Sequence, residues 1–588
     1  MKRNILKTVL MAVSLLAAFS CEEEVLPPLE GTGVTEASWN GDIRADEEGS
    51  MLSLTFTAAD AWTAESSDPS WCEIITPEGV KGSAALRIDL KKNINIEPRS
   101  VKIAIKVKGY PLPEEIAIVQ AEGVTEQGDG RYREINEWTY EKMSQVYLWN
   151  EPIPSLALDY SIGYQPFLKS ILDGVAKFDD INHDDGAYKE EFRTEYYTQI
   201  VSSAPDTKTV GQEATGNGFY RLRPVDLGVA IGVVVDTVIP DGPADKQGIK
   251  RGHFITAVNG VEITRDNYKS VTNKIYTDAV SVQINTVTWE GEKRDQAVVT
   301  PAGTVDLEPE RYLDPAIYKA ETVELNNGKK VGYLLYMGFH TDFDEDLMAV
   351  FDKFKADGIE DLVLDLRYNN GGEILSSTVM ATMIAGEQYK GQTLAKLTFN
   401  KVRTEAGESA VYKIGVPETI EYPDGYLAIE EALQHAIGLD RVFIIASNYT
   451  ASASEIIING LRGLDIEVNL IGTKTSGKNV GMEGFSKRFR NYDFLLYPVS
   501  FYIENAKGFR DYPDGFEPDV YLNDASIYPG GDFGSPSDFL CNVAYGWIAS
   551  GQKPSLKSTK AHTADQLAPA VPYSQRPGGS LVIYRDQK

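Results

Sequence analysis

The sequence predicts a multi-domain chain with an N-terminal β-sandwich, a second small β-rich domain, and a core of alternating strands and helices. Three observations carry this. At 588 residues the chain is too long for one hydrophobic core. Residues 35–123 alternate apolar and polar in short runs ("MLSLTFTA", "AALRIDL", "SVKIAIKV", "EEIAIVQA") divided by Gly, Pro and Asn, as half-buried strands do. From about residue 303, apolar strand-like runs alternate with amphipathic helical ones, the mark of an α/β layer fold. The formal charge of −29 argues against nucleic acid and anionic membrane surfaces as partners.

In chain order, residues 1–20 read as a secretory signal: Lys2, Arg3 and Lys7 precede a short apolar stretch and small residues, too short to span a bilayer. Ending "AAFSC", the segment resembles a bacterial lipoprotein signal, which implies that Cys21 carries the lipid and that the chain is anchored in the cell envelope, at the outer membrane or cell surface. Cys72 and Cys541 complete a set of three cysteines whose spacing gives neither a disulfide framework nor a metal pattern. Residues 21–34 form a charged, Pro- and Gly-containing tether. The sandwich at 35–123 resembles the BACON domain of Bacteroidetes surface proteins through Trp71, the turn at 77–79, Asn93, Arg99 and Gln120. That resemblance implies a glycan or protein contact; Trp62 and Trp71 are either sugar-stacking rings or core.

Residues 130–215 turn helical ("INEWTYEKMSQVYLWNEPIP", "YQPFLKSILDGVAKF"). Residues 216–302 return to strands around "IPDGPADKQGIKRGHFITAVNG", with a helical "YKSVTNKI" beyond, and this stretch resembles a PDZ domain. A PDZ domain adds an extended peptide to a sheet edge and holds its carboxylate on backbone N–H groups; here Leu227, Gly228 and Val229 would be that loop. Residues 303–553 form the α/β core, and 554–588 a C-terminal tail.

Within the core, "RVFIIAS" suits a buried strand and "SEIIINGLRG" a helix stopped at Gly463, with Ile457, Leu461 and Leu464 on one face. Ser452 therefore stands on a strand-to-helix turn. With Glu455 three residues on it makes a capping box, but a hydroxyl there also sits beside unpaired N–H groups at the positive end of the helix dipole. The Ala453 N–H could bind the oxyanion formed when Ser452 attacks a carbonyl, and Ser454, inside the first turn, is the weaker nucleophile. A serine needs a base. Of five histidines only His340 and His435 lie in the core, neither within a motif, whereas "TKTSGKNVG" offers Lys478 between glycines after an apolar strand. Lys474 follows the strand without that setting. In "DLVLDLRYNNGG" a strand ends in Asn-Asn-Gly-Gly, where Gly371 or Gly372 could give a second oxyanion donor.

In this order, and after a PDZ-like block, "LVLDLRYNNGG", "TASASE", "TSGKN" and "NAKGFRDYPDGFEPDV" resemble the tail-specific, or C-terminal processing, serine proteases. The resemblance covers about residues 130–550. It implies a crotonase-like core, a Ser452–Lys478 dyad, and an oxyanion hole from Ala453 with Gly371 or Gly372. It also implies protein or peptide substrates with free or extended C-termini, and no metal or organic cofactor. Two departures stand out. The spacing from Ser452 to Lys478 is one residue longer than is usual in the family, and Met482 occupies the place of a Gln that orients the lysine in many members. Glu483 or Asp465 could replace it. The competing expectations are a Ser–His hydrolase using His340, and a catalytically weak or inactive lipoprotein that binds peptide or glycan at the surface.

Overall fold

The protein is described by a computed structural model covering residues 31–39, 41–46, 49–93, 98–121, 130–176, 198–203, 213–291, 294–419, 425–489, 492–555, 565–566 and 582–584. The signal segment and Cys21 lie outside the described residues. Among the described residues no helix is long and apolar enough to cross a membrane.

The N-terminal part is a sandwich of a four-stranded and a five-stranded sheet. Its strands alternate as their sequences require: Phe56, Leu86, Ile88, Ile103, Ile105, Ile116 and Ile118 point inward and are buried. Trp62 and Trp71 belong to that core, 4% and 6% exposed, so neither offers a face to a sugar. The Arg99 guanidinium lies 4.1 Å from the Trp71 ring centroid and donates to the Gln120 side-chain oxygen at 2.8 Å, while the Asn93 amide donates to the Ala121 carbonyl. These polar residues close one end of the sandwich.

The region expected to be helical holds two helices, Arg133–Val146 and Tyr164–Val175, and then two strands, Gln199–Ser203 and Glu213–Gly216. The expectation of helix to residue 215 is thus corrected. The first strand pairs with Tyr492–Tyr497, almost 300 residues away, and the helices pack on that same sheet through Phe167, Ile171, Met482 and Leu496. Long-range pairing decides these residues, and local periodicity carries no sign of it.

The second β-rich domain has the strand order Ala297–Leu307, Val280–Trp289, Phe254–Val258, Ile231–Val238, Phe219–Asp226, with Asp565–Gln566 on the outer edge. It therefore runs past residue 302, through Leu307. Residues 554–588 are not wholly a free tail: besides that edge pairing, Val582–Tyr584 pairs in parallel with residues Met482, Glu483 and Gly484.

The core sheet has the order Ile317–Glu324, Lys330–Tyr336, Asp361–Asp365, Arg441–Ala446, Glu467–Gly472, Val520–Tyr521; all neighbours after the first pair run parallel. Both faces are covered, which is why these strands read as continuous apolar runs. Leu334, Leu364 and Ile444 meet the helices Asp344–Asp357, Ile374–Ala385 and Ala453–Gly463 on one side. Tyr333, Val363 and Phe443 meet the helix Phe539–Ser550 on the other. Three loops of interest leave the C-terminal ends of the adjacent parallel strands Asp361–Asp365, Arg441–Ala446 and Glu467–Gly472, the edge where open α/β sheets place their ligands.

Candidate active site

Ser452 caps the helix Ala453–Gly463, which is anchored by buried Ile456, Ile457, Ile458 and Leu461, each worth about 2 kcal/mol of apolar burial. Its backbone sits at φ 60°, ψ −116°, in left-handed space that a non-glycine residue enters at a cost of about 1–3 kcal/mol. The Ser452 hydroxyl is buried and has no hydrogen-bond partner among the described residues. Such an orphan is a cost unless the group has other work. Glu455 accepts the Ser452 N–H at 3.0 Å, and the other half of the capping box is loose: the Glu455 N–H approaches the Ser452 oxygen without a full hydrogen bond.

Glu455 does more than cap. Fully buried, it accepts four hydrogen bonds, from the Thr475 hydroxyl (2.7 Å), the Gly477 N–H (2.7 Å), the Lys478 N–H (2.8 Å) and the Ser452 N–H (3.0 Å). One carboxylate thus ties the backbone of Ser452 to the backbone of Lys478. Burial pushes the Glu455 carboxyl up to about 7, against the opposing pull of these donors. Lys478 itself is 5% exposed, unlike Lys474, which reaches out to Glu517 at 2.9 Å.

The Asn-Asn-Gly-Gly loop packs directly on the serine. A methyl group added at Gly371 (φ 111°) would lie 2.7 Å from Ser452 Cβ and 3.0 Å from the Ala453 nitrogen, so only glycine fits. The two loops are laced together by hydroxyls. Thr450 donates to the Leu366 carbonyl (2.8 Å), Ser454 to the Asn369 carbonyl (3.1 Å), and Ser447 to the Arg367 carbonyl. Ser454 is thereby committed to structure. The two glycines also differ: the Gly371 N–H donates to Asn369 Oδ1 at 2.9 Å, whereas the Gly372 N–H has no side-chain acceptor among the described residues.

Beneath the loop lies a buried charge cluster. Arg367 makes a two-pronged contact with Asp365 and reaches Asp538 (3.0 Å) and Asp524 (3.3 Å). Arg251, from the β-rich domain, joins the same aspartates at 3.2 and 3.3 Å. These guanidiniums hold the Asp538 and Asp524 carboxyls below the usual carboxylate range despite their burial.

Other expected residues fall elsewhere. Asp465 sits beyond the far end of the Ser452 helix, ion-paired with Lys507 at the surface; its exposed side chain cannot orient Lys478. Glu483 is buried and bound through both oxygens by Arg403 (2.5 and 3.0 Å), and Met482 packs in an apolar cluster with Val480 and Leu496. His340 is partly exposed, 4.0 Å from the Glu373 carboxylate, and makes no hydrogen bond to Ser452. His435 lies beside Asp352 at 2.9 Å, on the helix Asp344–Asp357.

Leu227, Gly228 and Val229 form a tight hairpin turn instead of an anion nest. The Leu227 N–H donates to the Ala230 carbonyl and the Gly228 N–H to Asp226, and the strand Ile231–Val238 that follows has neighbours on both edges. Sequence reasoning missed Glu455 as a tether, along with Thr475, Asp524 and Asp538. A glutamate three residues after a serine reads as a cap, and partners 157 and 171 positions from Arg367 leave no local signal.

Comparison with known proteins agrees with this arrangement. A family model for Peptidase family S41 matches residues 330–522, and one for a PDZ domain matches residues 234–278. A CtpA-like serine protease of Staphylococcus aureus (strain COL) is 25% identical over 291 residues, 50% of this chain and 50% of that protein. Carboxyl-terminal-processing peptidase 1, chloroplastic, of Arabidopsis thaliana is 23% identical over 285 residues, 48% of this chain and 51% of that one. The chain thus spans about half the length of the curated relatives it matches. A crystal structure of a Bacteroides fragilis NCTC 9343 protein assigned to the S41 proteases is 29% identical, with a TM-score of 0.56, covering 70% of this chain and 97% of that one. Gly371, Ser452 and Lys478 all fall inside residues 330–522, the part of the chain that matches peptidase family S41, and the PDZ-domain match lies ahead of it in the chain.

Proposed function

We propose that this protein is a cell-envelope serine endopeptidase of the C-terminal processing type, acting on proteins or peptides through a Ser452–Lys478 dyad. The observation that carries the reading is the Glu455 carboxylate, which fixes the backbones of both residues beside a buried, unpartnered serine hydroxyl. In the neutral form, which burial favours in a lysine, the Lys478 amine takes the Ser452 proton as the oxygen attacks the scissile carbonyl. The tetrahedral oxyanion is met by the Ala453 N–H, the first of the helix, with its dipole behind it. Gly372 is the better second donor, because the Gly371 N–H is already engaged. Lys478 then protonates the leaving amine, and water hydrolyses the acyl-enzyme.

The parallel sheet covered on both faces supports a crotonase-like core, and the nine-stranded sandwich with its Trp71–Arg99–Gln120 end supports a BACON-like module. The AAFSC ending supports a lipid anchor at Cys21. With both tryptophans buried, the sandwich fits a spacer or protein contact better than a glycan site.

The test is hydrolysis of an unstructured protein such as casein. Ser452→Ala and Lys478→Ala should each abolish cleavage with an unchanged circular dichroism spectrum, and His340→Ala should retain it. Full activity in either dyad variant would refute the mechanism.

A further inference from the structure

The PDZ strand Phe219–Asp226 touches both loops of the proposed site through a single side chain. Arg221 is 4% exposed, and its guanidinium lies 4.7 Å from the ring centroid of Tyr368 and 4.8 Å from that of Tyr449. Tyr368 immediately precedes the Asn-Asn-Gly-Gly loop, and Tyr449 lies three residues before Ser452. Tyr220, next in the strand, donates from its hydroxyl to the Tyr368 carbonyl at 3.2 Å, and the Tyr368 hydroxyl donates to Asp524 at 2.6 Å.

The charge balance explains why this contact is firm. Asp236 is shared by two buried guanidiniums, Arg221 at 3.1 Å and Arg223 at 2.9 Å. Arg223 finds further acceptors in the Ala525 and Ile527 carbonyls. Arg221 has the faces of the two tyrosines, whose ring quadrupoles stabilise a desolvated cation. Drawing either ring away would remove cation–π support from this buried guanidinium, so the arginine resists separation of the two loops.

We propose that Arg221 is a positioning residue for hydrolysis, supplied by the PDZ domain to hold the oxyanion loop against the nucleophile loop. Hydroxyl–carbonyl bonds lace those loops near the serine, and Arg221 pins them again on the outer side. The PDZ domain is by this account a wall of the catalytic scaffold as well as a module for substrate. A shift of the order of 1 Å between nucleophile and oxyanion donors is enough to cost about 100-fold in rate.

The proposal rests on Ser452 being the nucleophile, and the experiment keeps the two apart. In the full-length chain, Arg221→Met, Arg221→Lys, Tyr449→Leu and the Arg221→Met/Tyr449→Leu double variant are assayed on a short unstructured peptide. A fluorophosphonate measures the rate of Ser452 labelling in parallel. Arg221→Met should lower kcat and the labelling rate about 10- to 100-fold with KM within about threefold, and Arg221→Lys should recover part of the loss. Tyr449→Leu should produce a similar fall, and the double variant should be no worse than either single one, because both remove the same contact. Unchanged kcat in Arg221→Met, strictly multiplicative losses, or a fall in melting temperature without a fall in kcat would overturn the proposal. A wild-type chain that neither cleaves nor is labelled would instead overturn the reading of Ser452.

Discussion

Replacing Glu455 with Gln preserves the size of the side chain and removes its titration. Burial raises the Glu455 carboxyl from its ordinary 4.5 to about 7. Between those values the native chain keeps a proton that the unfolded chain has released. The group's contribution to stability is therefore full below pH 4.5 and is lost as pH rises through 7. At 1.36 kcal/mol per pH unit the whole effect is about 3 kcal/mol, of which about 2.5 kcal/mol falls between pH 5 and pH 8. Denaturant unfolding of both proteins at those two pH values should show the Gln variant gaining about 2.5 kcal/mol on the wild type. Activity should move the other way. The carboxylate accepts four bonds, and an amide must turn its NH2 toward one pair of donors, either Ser452 and Lys478 or Thr475 and Gly477. Losing charge-assisted bonds worth about 1.5–3 kcal/mol predicts a fall in kcat/KM of about 10- to 150-fold at pH 8. A stability difference that stays flat with pH, or a Gln variant with wild-type turnover, would refute the reasoning.

Two further outcomes follow from contacts already described. Gly371→Ala should abolish activity, since its new methyl would meet Ser452 Cβ at 2.7 Å on a backbone with φ 111°, and loss of serine-probe labelling checks it. Arg251→Met should lower stability by about 3–5 kcal/mol near neutral pH, because Asp524 and Asp538 lose a buried partner; unfolding should show that cost shrinking as acid protonates the aspartates.

The layered core was legible because strands buried on both faces are largely apolar, and 361–365, 441–446 and 467–472 each hold an apolar run, Leu362 to Leu364, Val442 to Ala446 and Leu470 with Ile471. The placement of Ser452 on a strand-to-helix turn was legible for the same reason. Harder to read was anything set by contacts distant in sequence. The strand Gln199–Ser203 looked like part of a helical region because its partner lies almost 300 residues away. Leu227, Gly228 and Val229 fit a carboxylate-binding pattern, yet two of their N–H groups are engaged within the turn. Asp465 and Glu483 were equal candidates to orient the lysine in the sequence. Burial separates them, since one is a surface partner of Lys507 and the other is fixed by Arg403.

The charge cluster beneath the Asn-Asn-Gly-Gly loop also orders events in time. Arg367 is buried against Asp538, which the ribosome reaches 171 residues later. At about 5–20 residues per second that interval is roughly 10–30 s. Until then the guanidinium has Asp365 beside it but not the Asp538 carboxylate that completes its buried pairing, and the loop above it has an unfinished floor. A chain stalled before residue 538 should accordingly fail to react with a serine probe, although Ser452 and Lys478 have both been made. Synthesis itself delays the appearance of a competent nucleophile, which protects a nascent peptidase from cutting the unfolded chain of which it is still part.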